Sequence, residues 1–177
     1  MVQANSVTTI SVSLNNSDPV SAFQLIIPLD KQITYVDQSI ATTARTAGHS
    51  ITASVTNNVL KIYGYSLNNA VIGGNSGDVA TFSLKASTNP GDYVLQPSEV
   101  VLSDVAGKEV ASSAIAGAVT LKAPYLVVQE NAIDLGRVPL NQAQPRGLTL
   151  SNTGNEELII DQAAFDADAK ALLSKIP

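Results

Sequence analysis

Residues 49–66, HSITASVTNNVLKIYGYS, show the pattern on which the fold prediction rests. Two runs of alternating apolar and polar residues flank Asn57 and Asn58, and successive side chains of a β-strand point to opposite faces. Asparagine tolerates the positive φ that a tight hairpin turn requires. The stretch therefore predicts a β-hairpin with strands over His49–Thr56 and Val59–Ser66.

The same alternation continues on both sides of this hairpin. Further strands are predicted over Val7–Leu14, Val20–Leu29, Ile33–Ile40, Asp78–Ser87, Tyr93–Ser103 and Glu109–Leu121. Turn-forming residues separate them, and no helical period precedes Lys122, so residues 1–122 are predicted to form an all-β, antiparallel β-sandwich. Its predicted core consists of Ile10, Val12, Leu14, Phe23, Leu25, Ile27, Ile51, Val55, Leu60, Ile62, Phe82 and Leu84.

Ala123 and Pro124 mark a predicted domain boundary, with a second unit over residues 123–177. The predicted strands there are Leu126–Gln129, Ile133–Val138, Leu148–Asn152 and Leu158–Ile160, followed by a short C-terminal helix over Ala163–Lys175. The helix is predicted because Phe165, Ala169 and Leu172 share one face. An immunoglobulin-like sandwich uses about seven strands. The unit is therefore predicted to be truncated.

Composition restricts the class of protein. The chain has 177 residues, of which 45% are hydrophobic and only 14% charged, and its net charge is −5. A mildly acidic chain without a cluster of Lys and Arg is a poor partner for nucleic acid. No run reaches the roughly 20 apolar residues of a membrane span, and the absence of cysteine excludes disulfides. Since no secretion leader is recognisable at the start, Met1 is interpreted as the start of a segment taken from a longer protein.

No residue pattern points to catalysis, a metal or another cofactor. His49 is the only histidine, and its neighbour Ser50 must point to the opposite face of a strand, so the two cannot form a catalytic dyad. The carboxylates are scattered, and those of Asp18, Asp78 and Asp92 lie beside Pro or Gly, where turn chemistry explains them. The loop Gly73–Asp78 lacks both the Lys-Ser/Thr of a phosphate loop and the ligand spacing of a calcium loop, and is predicted to be a plain turn. The chain is predicted not to be an enzyme.

Tyr63 and Tyr65 are the informative aromatic residues. Leu60 and Ile62 belong to the predicted core, so both tyrosines are predicted to point outward on one side of the strand. Exposed paired tyrosines suit contact with a protein or stacking on a sugar ring. Packing between neighbouring strands is the alternative explanation.

The first domain resembles the cohesin domain, a jelly-roll β-sandwich of bacterial surface scaffolds. The resemblance rests on the order and spacing of five blocks: Thr9–Asn16, Val20–Leu25, Val59–Ser66, Gly77–Phe82 and Val100–Val110. It implies an extracellular or cell-surface module whose partner is a dockerin, a small calcium-binding helical module of another secreted protein. Cohesins also resemble, in fold, the modules that bind polysaccharides.

The resemblance implies that a sheet face binds the partner. Carried over strand by strand, this face would present Ala22, Gln24, Ser50, Thr52, Ser54, Lys61, Tyr63 and Tyr65. Many cohesins place a polar pair, often Asn and Asp, where this chain has Ala22 and Gln24. The loss of that charge predicts a partner of another type or another use of the face.

The second unit resembles the start of an immunoglobulin-like domain of hydin-like proteins and bacterial surface proteins, on the blocks Ile133–Val138 and Leu148–Asn155. It implies a spacer without chemistry. Three hypotheses follow: a protein-binding module for a dockerin-like partner, a polysaccharide-binding module, and a purely structural spacer. The 5% aromatic content and the absence of tryptophan weigh against polysaccharide binding.

Overall fold

The computed structural model describes residues 2–130, 132, 134, 136, 137, 139 and 147–160. The chain divides into two compact units, Met1–Lys122 (unit 1) and Ala123–Pro177 (unit 2). The strands of unit 1 are β1 (Val2–Gln3), β2 (Val7–Asn15), β3 (Ala22–Pro28), β4 (Ile33–Tyr35), β5 (Ala41–Thr42), β6 (Ser50–Thr56), β7 (Val59–Tyr65), β8 (Ser76–Ala86), β9 (Gly91–Leu95), β10 (Glu99–Ser103), β11 (Glu109–Val110) and β12 (Gly117–Lys122). One 3-10 turn, Ala44–Thr46, lies between β5 and β6.

Three sheets make up unit 1. The largest has the order β11-β10-β3-β7-β6, the second has the order β2-β8-β4 with β5 also paired to β8, and the third has the order β1-β12-β9. Every pairing in unit 1 is antiparallel except that of β1 with β12. The inward side chains of all three sheets belong to one apolar core. The prediction of an all-β, antiparallel sandwich is confirmed.

The core follows the predicted alternation, with one exception. Seven of the predicted core side chains are buried and four are half-buried against them: Phe23, Leu25, Ile27, Leu60, Ile62, Phe82 and Leu84, and Ile10, Val12, Leu14 and Ile51 respectively. Burial of such a side chain stabilises the fold by about 1.5–3 kcal/mol. Val55 was predicted in the core but is 41% exposed. It lies near the end of β6, the outermost strand of its sheet, where it has neighbours on one side only.

Three predicted strands are divided or less than half as long as predicted. The strand predicted over Tyr93–Ser103 is two strands, β9 and β10, because Pro97 between them has no N–H for a ladder. The strand predicted over Ile33–Ile40 ends at Tyr35, and Gln38 beyond it has a φ of 58° in a turn. The strand predicted over Glu109–Leu121 is β11 and β12, with residues 111–116 exposed between them. The short strands β1 and β5 were not predicted.

Two loops are fixed by specific residues. Asn57 and Asn58 have φ values of 52° and 59°, as predicted for the hairpin turn between β6 and β7. The Arg45 guanidinium organises the glycine-rich loop that precedes β8. It donates hydrogen bonds to the carbonyl oxygens of Leu14, Gly73, Gly74 and Gly77 and to Asn16 Oδ1, at 2.5–3.1 Å. No local sequence pattern indicates this role of Arg45.

Unit 2 contains a short antiparallel pair, β13 (Leu126–Val128) with β14 (Leu150–Asn152). Leu158–Ile160 was predicted to be a strand but is irregular, and Ile159 is 70% exposed. The predicted helix Ala163–Lys175 lies outside the described residues, and so do three of the six residues of the predicted strand Ile133–Val138. The immunoglobulin-like identity of unit 2 therefore stays a prediction. Among the described residues, no helix has the length and apolar character needed to cross a bilayer.

Candidate functional site

The candidate site is the outward face of the five-stranded sheet. Because Phe23, Leu25 and Ile27 point into the core, the intervening residues of β3 point outward, and the same alternation holds on β7 and β6. All eight residues that were predicted to share a face do so in the structure. Four further outward residues of β3 and β10 complete it, and we call the set the tyrosine face: Ala22, Gln24, Ile26, Ser50, Thr52, Ser54, Lys61, Tyr63, Tyr65, Glu99, Val101 and Ser103.

Strand register arranges these side chains in rows. One row runs Val101–Gln24–Tyr63–Thr52 from β10 across β3 and β7 to β6, and a second runs Glu99–Ile26–Lys61–Ser54. Neighbouring strands lie about 4.8 Å apart, so each row spans about 15 Å. The two rows form a regular platform of mostly small or neutral side chains. Such a platform offers a partner a broad surface and no cleft.

Two tyrosines supply the aromatic area of this face. Tyr63 is 37% exposed and Tyr65 is 40% exposed. Thr52 lies opposite Tyr63, and Ser50 lies opposite Tyr65, so small side chains border both rings on β6. A tyrosine ring combines rigid apolar area with a polar hydroxyl, which makes it effective at protein interfaces.

Gly64 explains why β7 can carry these two rings. Gly64 is opposite Phe23 across the β3–β7 ladder, and the Phe23 ring covers it on the core side. A Cβ atom at position 64 would lie 2.6 Å from Phe23 Cζ and 2.8 Å from Phe23 Cδ1. A glycine inside a strand often marks such a close approach. The strand between the tyrosines is thereby held directly against the core.

The charged groups of the face lie on either side of Ile26. Lys61 on β7 and Glu99 on β10 are its two cross-strand neighbours. Gln24 Nε2 donates a hydrogen bond to Glu99 Oε1 at 2.5 Å, which orients the carboxylate along the sheet. The face therefore presents one positive and one negative group around an apolar centre, and it has no net charge.

The sequence analysis missed part of this face. Ile26 has the same parity as Ala22 and Gln24, but it was not assigned to the site. Glu99, Val101 and Ser103 could have been found from the alternation of β10, in which Leu102 is buried. Their place beside β3 depends on the pairing of strands about 75 residues apart in the chain, as in the 75-residue separation of Gln24 and Glu99. No local pattern encodes that pairing.

Groups that could support other chemistry lie elsewhere. His49, immediately before β6, was predicted to be an ordinary strand-edge residue but is buried, and neither of its ring nitrogens has a hydrogen-bond partner among the described residues. Ser50 beside it is exposed. Hydrogen bonds from Ser13 and Ser11 lower the pKa of Asp78 on β8, away from the face. Within the described part of the chain, no group of three or more His, Cys, Asp or Glu side chains could hold a metal ion.

Solved cohesin structures share this architecture. A non-cellulosomal cohesin from Archaeoglobus fulgidus is 19% identical with a TM-score of 0.58, and the match covers 68% of this chain and 84% of that one. A type I cohesin from Clostridium thermocellum, solved in complex with a dockerin, is 13% identical with a TM-score of 0.59, covering 68% and 92%. The seventh ScaB cohesin from Pseudobacteroides cellulosolvens is 13% identical with a TM-score of 0.57, covering 81% and 92%.

Unit 1 therefore has a cohesin-like β-sandwich fold. Comparison by sequence adds no narrower assignment, because no protein-family model and no curated protein matches the chain. The likeness to cohesins lies in the order and packing of the strands.

Proposed function

We propose that the tyrosine face of unit 1 binds a dockerin-like module of another protein. The observation that carries the proposal is the strand register, which aligns Gln24, Tyr63 and Thr52 in one row of an uninterrupted, half-exposed sheet face. The fold adds support, because several solved structures of similar fold are cohesins in complex with dockerins. Unit 1 thus acts as a non-catalytic protein-binding module.

The chemistry of the face defines what kind of module it suits. Tyr63, Tyr65, Ile26 and Val101 provide apolar contact area, while serine and threonine hydroxyls on β6 supply hydrogen-bonding groups at the rim. Interfaces of this kind obtain most of their affinity from a few buried aromatic residues surrounded by polar groups. A compact partner with an apolar, helical surface fits a flat platform about 15 Å wide.

Specificity follows from the neutral residues on β3. Ala22 and Gln24 offer no charge, and the Gln24 amide is already engaged with Glu99. A partner that relies on a salt bridge at this point would leave its own charge unpaired and desolvated, at a cost of several kcal/mol. The proposed partner is therefore a module with neutral polar or apolar residues opposite β3.

We propose that the protein is secreted or lies at the cell surface. There it would belong to a surface assembly or to an assembly that degrades polysaccharides. Direct polysaccharide binding by this chain is the weaker alternative. Its basis is the pair of half-exposed tyrosines on one strand. Two rings on one strand form a narrow platform for sugar stacking, whereas the neutral rows around them suit a protein.

Isothermal titration calorimetry tests the proposal. The whole chain is titrated with each dockerin module encoded in the same genome, and the same protein is run in affinity gels that contain soluble glycans. Binding of at least one dockerin at 1:1 stoichiometry with a Kd of about 10 μM or tighter, about −7 kcal/mol, is expected. Retardation by a glycan without heat from any dockerin would contradict the proposal in favour of the alternative.

A further inference from the structure

β6 presents a free edge of the five-stranded sheet to solvent. It is the last strand of that sheet, and among the described residues it pairs only with β7. Sheet edges usually carry a charge, a proline, a bulge or a very short strand, because an unprotected edge pairs with other chains. β6 has seven residues, none of them charged or proline, and its register with β7 runs without a shift. It therefore lacks each of these protections.

The other sheet edges of unit 1 are protected. β1 and β4 have only two and three residues, and β11, at the far side of the sheet that contains β6, has two, one of which is Glu109. β9 contains Asp92. β2 is longer than β6, but its register with β8 shifts between Val12 and Ser13. Among these edges, β6 is the one best suited to pairing with a further strand.

The turn between β6 and β7 shows which backbone groups of β6 are free. Asn57 and Asn58 both have positive φ, so Thr56 and Val59 close a two-residue turn and exchange two backbone hydrogen bonds. Hydrogen-bonded pairs alternate along an antiparallel ladder, so the N–H and C=O groups of every second residue from Thr56 back to Ser50 point to β7. The residues between them point their N–H and C=O groups to the free edge: Ile51, Ala53 and Val55.

The sequence of β6, Ser-Ile-Thr-Ala-Ser-Val-Thr, is self-complementary about Ala53. If two copies pair in antiparallel fashion at Ala53, Ile51 lies opposite Val55 of the second copy and Thr52 lies opposite Ser54 of the second copy. Residues directly opposite each other share a face of the sheet, so apolar side chains meet on the core side and hydroxyls meet on the outward side. This register also uses the free backbone groups, because its hydrogen-bonded pairs form at Ile51, Ala53 and Val55.

Val55 provides an independent observation for the same pairing. It has the parity of the core, as Ile51 and Ala53 do, and those two are half-buried against the core. Val55 itself is exposed at the edge. An antiparallel second copy of β6 would bring its Ile51 beside Val55 and remove apolar surface from water.

We propose that two copies of this chain pair through β6, about a two-fold axis at Ala53, to form a continuous ten-stranded sheet. Both tyrosine faces then lie on the same side, and the row from Val101 to Thr52 continues at Ser54 of the second copy. Eight strands about 4.8 Å apart make an outward platform about 34 Å wide. The contact is small, so the dissociation constant of the dimer is about 10–100 μM. The pairing does not depend on the proposed binding of a dockerin-like module.

Sedimentation equilibrium of the whole chain, without any partner, tests this register with two double variants. Thr52→Lys with Ser54→Glu places opposite charges against each other at both symmetry-related pairs. Thr52→Lys with Ser54→Lys places like charges there. Val7→Glu with Thr9→Lys is the matched control, because it puts the same two charges at the same spacing on exposed positions of β2. All these side chains point outward, so none disturbs the core.

The opposite-charge variant is expected to dimerise about threefold more tightly than the unaltered chain, and the like-charge variant about tenfold more weakly. The control is expected to change the dissociation constant by less than a factor of about two. In the unaltered chain, amide exchange at Ile51, Ala53 and Val55 is expected to slow about fivefold between about 10 μM and about 1 mM protein. A monomer at about 1 mM, or a dimer that is equally stable in both double variants, would overturn the proposal.

Discussion

Replacing Gly64 by alanine is expected to destabilise unit 1, although alanine is usually the better residue in a strand. A Cβ atom there would lie 2.6 Å from Phe23 Cζ and 2.8 Å from Phe23 Cδ1, whereas ordinary contacts begin at about 3.4–4 Å. The Phe23 ring, which is buried, must therefore move by about 1 Å within a packed core. Overpacking of this kind costs about 1–3 kcal/mol, and removing a strand glycine returns about 0.5–1 kcal/mol.

The net loss for Gly64→Ala is expected to be about 1–2 kcal/mol in the free energy of unfolding, measured by urea titration. Gly117→Ala is the matched control, because it is also in a strand and its added Cβ would meet only Leu95 Cβ at 4.0 Å. This control is expected to be neutral or stabilising by up to about 0.5 kcal/mol. In a Phe23→Leu background the cost of Gly64→Ala should fall by about 1 kcal/mol or more. Equal stabilities of the Gly64→Ala and Gly117→Ala proteins would refute the placement of the Phe23 ring.

Three further predictions concern groups outside the tyrosine face. Arg45→Lys is expected to lower the free energy of unfolding by about 1–3 kcal/mol, because an ammonium group cannot replace five guanidinium hydrogen bonds, and unchanged urea midpoints would contradict this. His49→Leu is expected to preserve or raise the free energy of unfolding, because both buried ring nitrogens lack hydrogen-bond partners in the part of the chain that the structure describes. A loss above about 1 kcal/mol would show that the imidazole is satisfied. Ser13→Ala is expected to raise the pKa of Asp78 in an NMR titration, because the Ser13 hydroxyl stabilises the charged carboxylate. The stabilisation that the lowered pKa gives to the fold is fully present above the ordinary pKa near 3.8, and it is lost as the pH falls through the pKa of the folded protein. An unchanged titration of Asp78 would rule out this hydrogen bond.

The sequence predicted those features that depend on local alternation and turn chemistry. The inward parity of Phe23, Leu25 and Ile62 follows from a period of two, and the turn at Asn57 and Asn58 follows from tolerance of positive φ. Inward and outward side chains alternate along a strand, so a correct assignment of the core residues also assigns the outward residues. For this reason all eight predicted residues lie on the tyrosine face.

Features that depend on partners far away in the chain were not predictable in this way. Val55 has the right parity for the core, but it lies on an outermost strand, and alternation does not reveal which strand is outermost. Glu99 joins the face only through pairing of β10 with β3. Four of the five hydrogen bonds that Arg45 donates go to backbone carbonyl oxygens, which carry no side-chain signature. In each case the tertiary arrangement provides the information that the local pattern lacks.

The central claim, that the tyrosine face binds a protein partner, is tested most directly by comparing two surface variants in one titration. Tyr63→Ala combined with Tyr65→Ala removes the exposed rings, whereas Lys85→Ala removes an exposed side chain of β8 in another sheet. With the dockerin that binds the unaltered chain, the double variant is expected to bind at least about 30-fold more weakly, equivalent to about 2 kcal/mol, with a nearly unchanged Tm. Lys85→Ala is expected to change the Kd less than about twofold. Equal affinities of the two variants, or a large fall in the Tm of the double variant, would contradict the account.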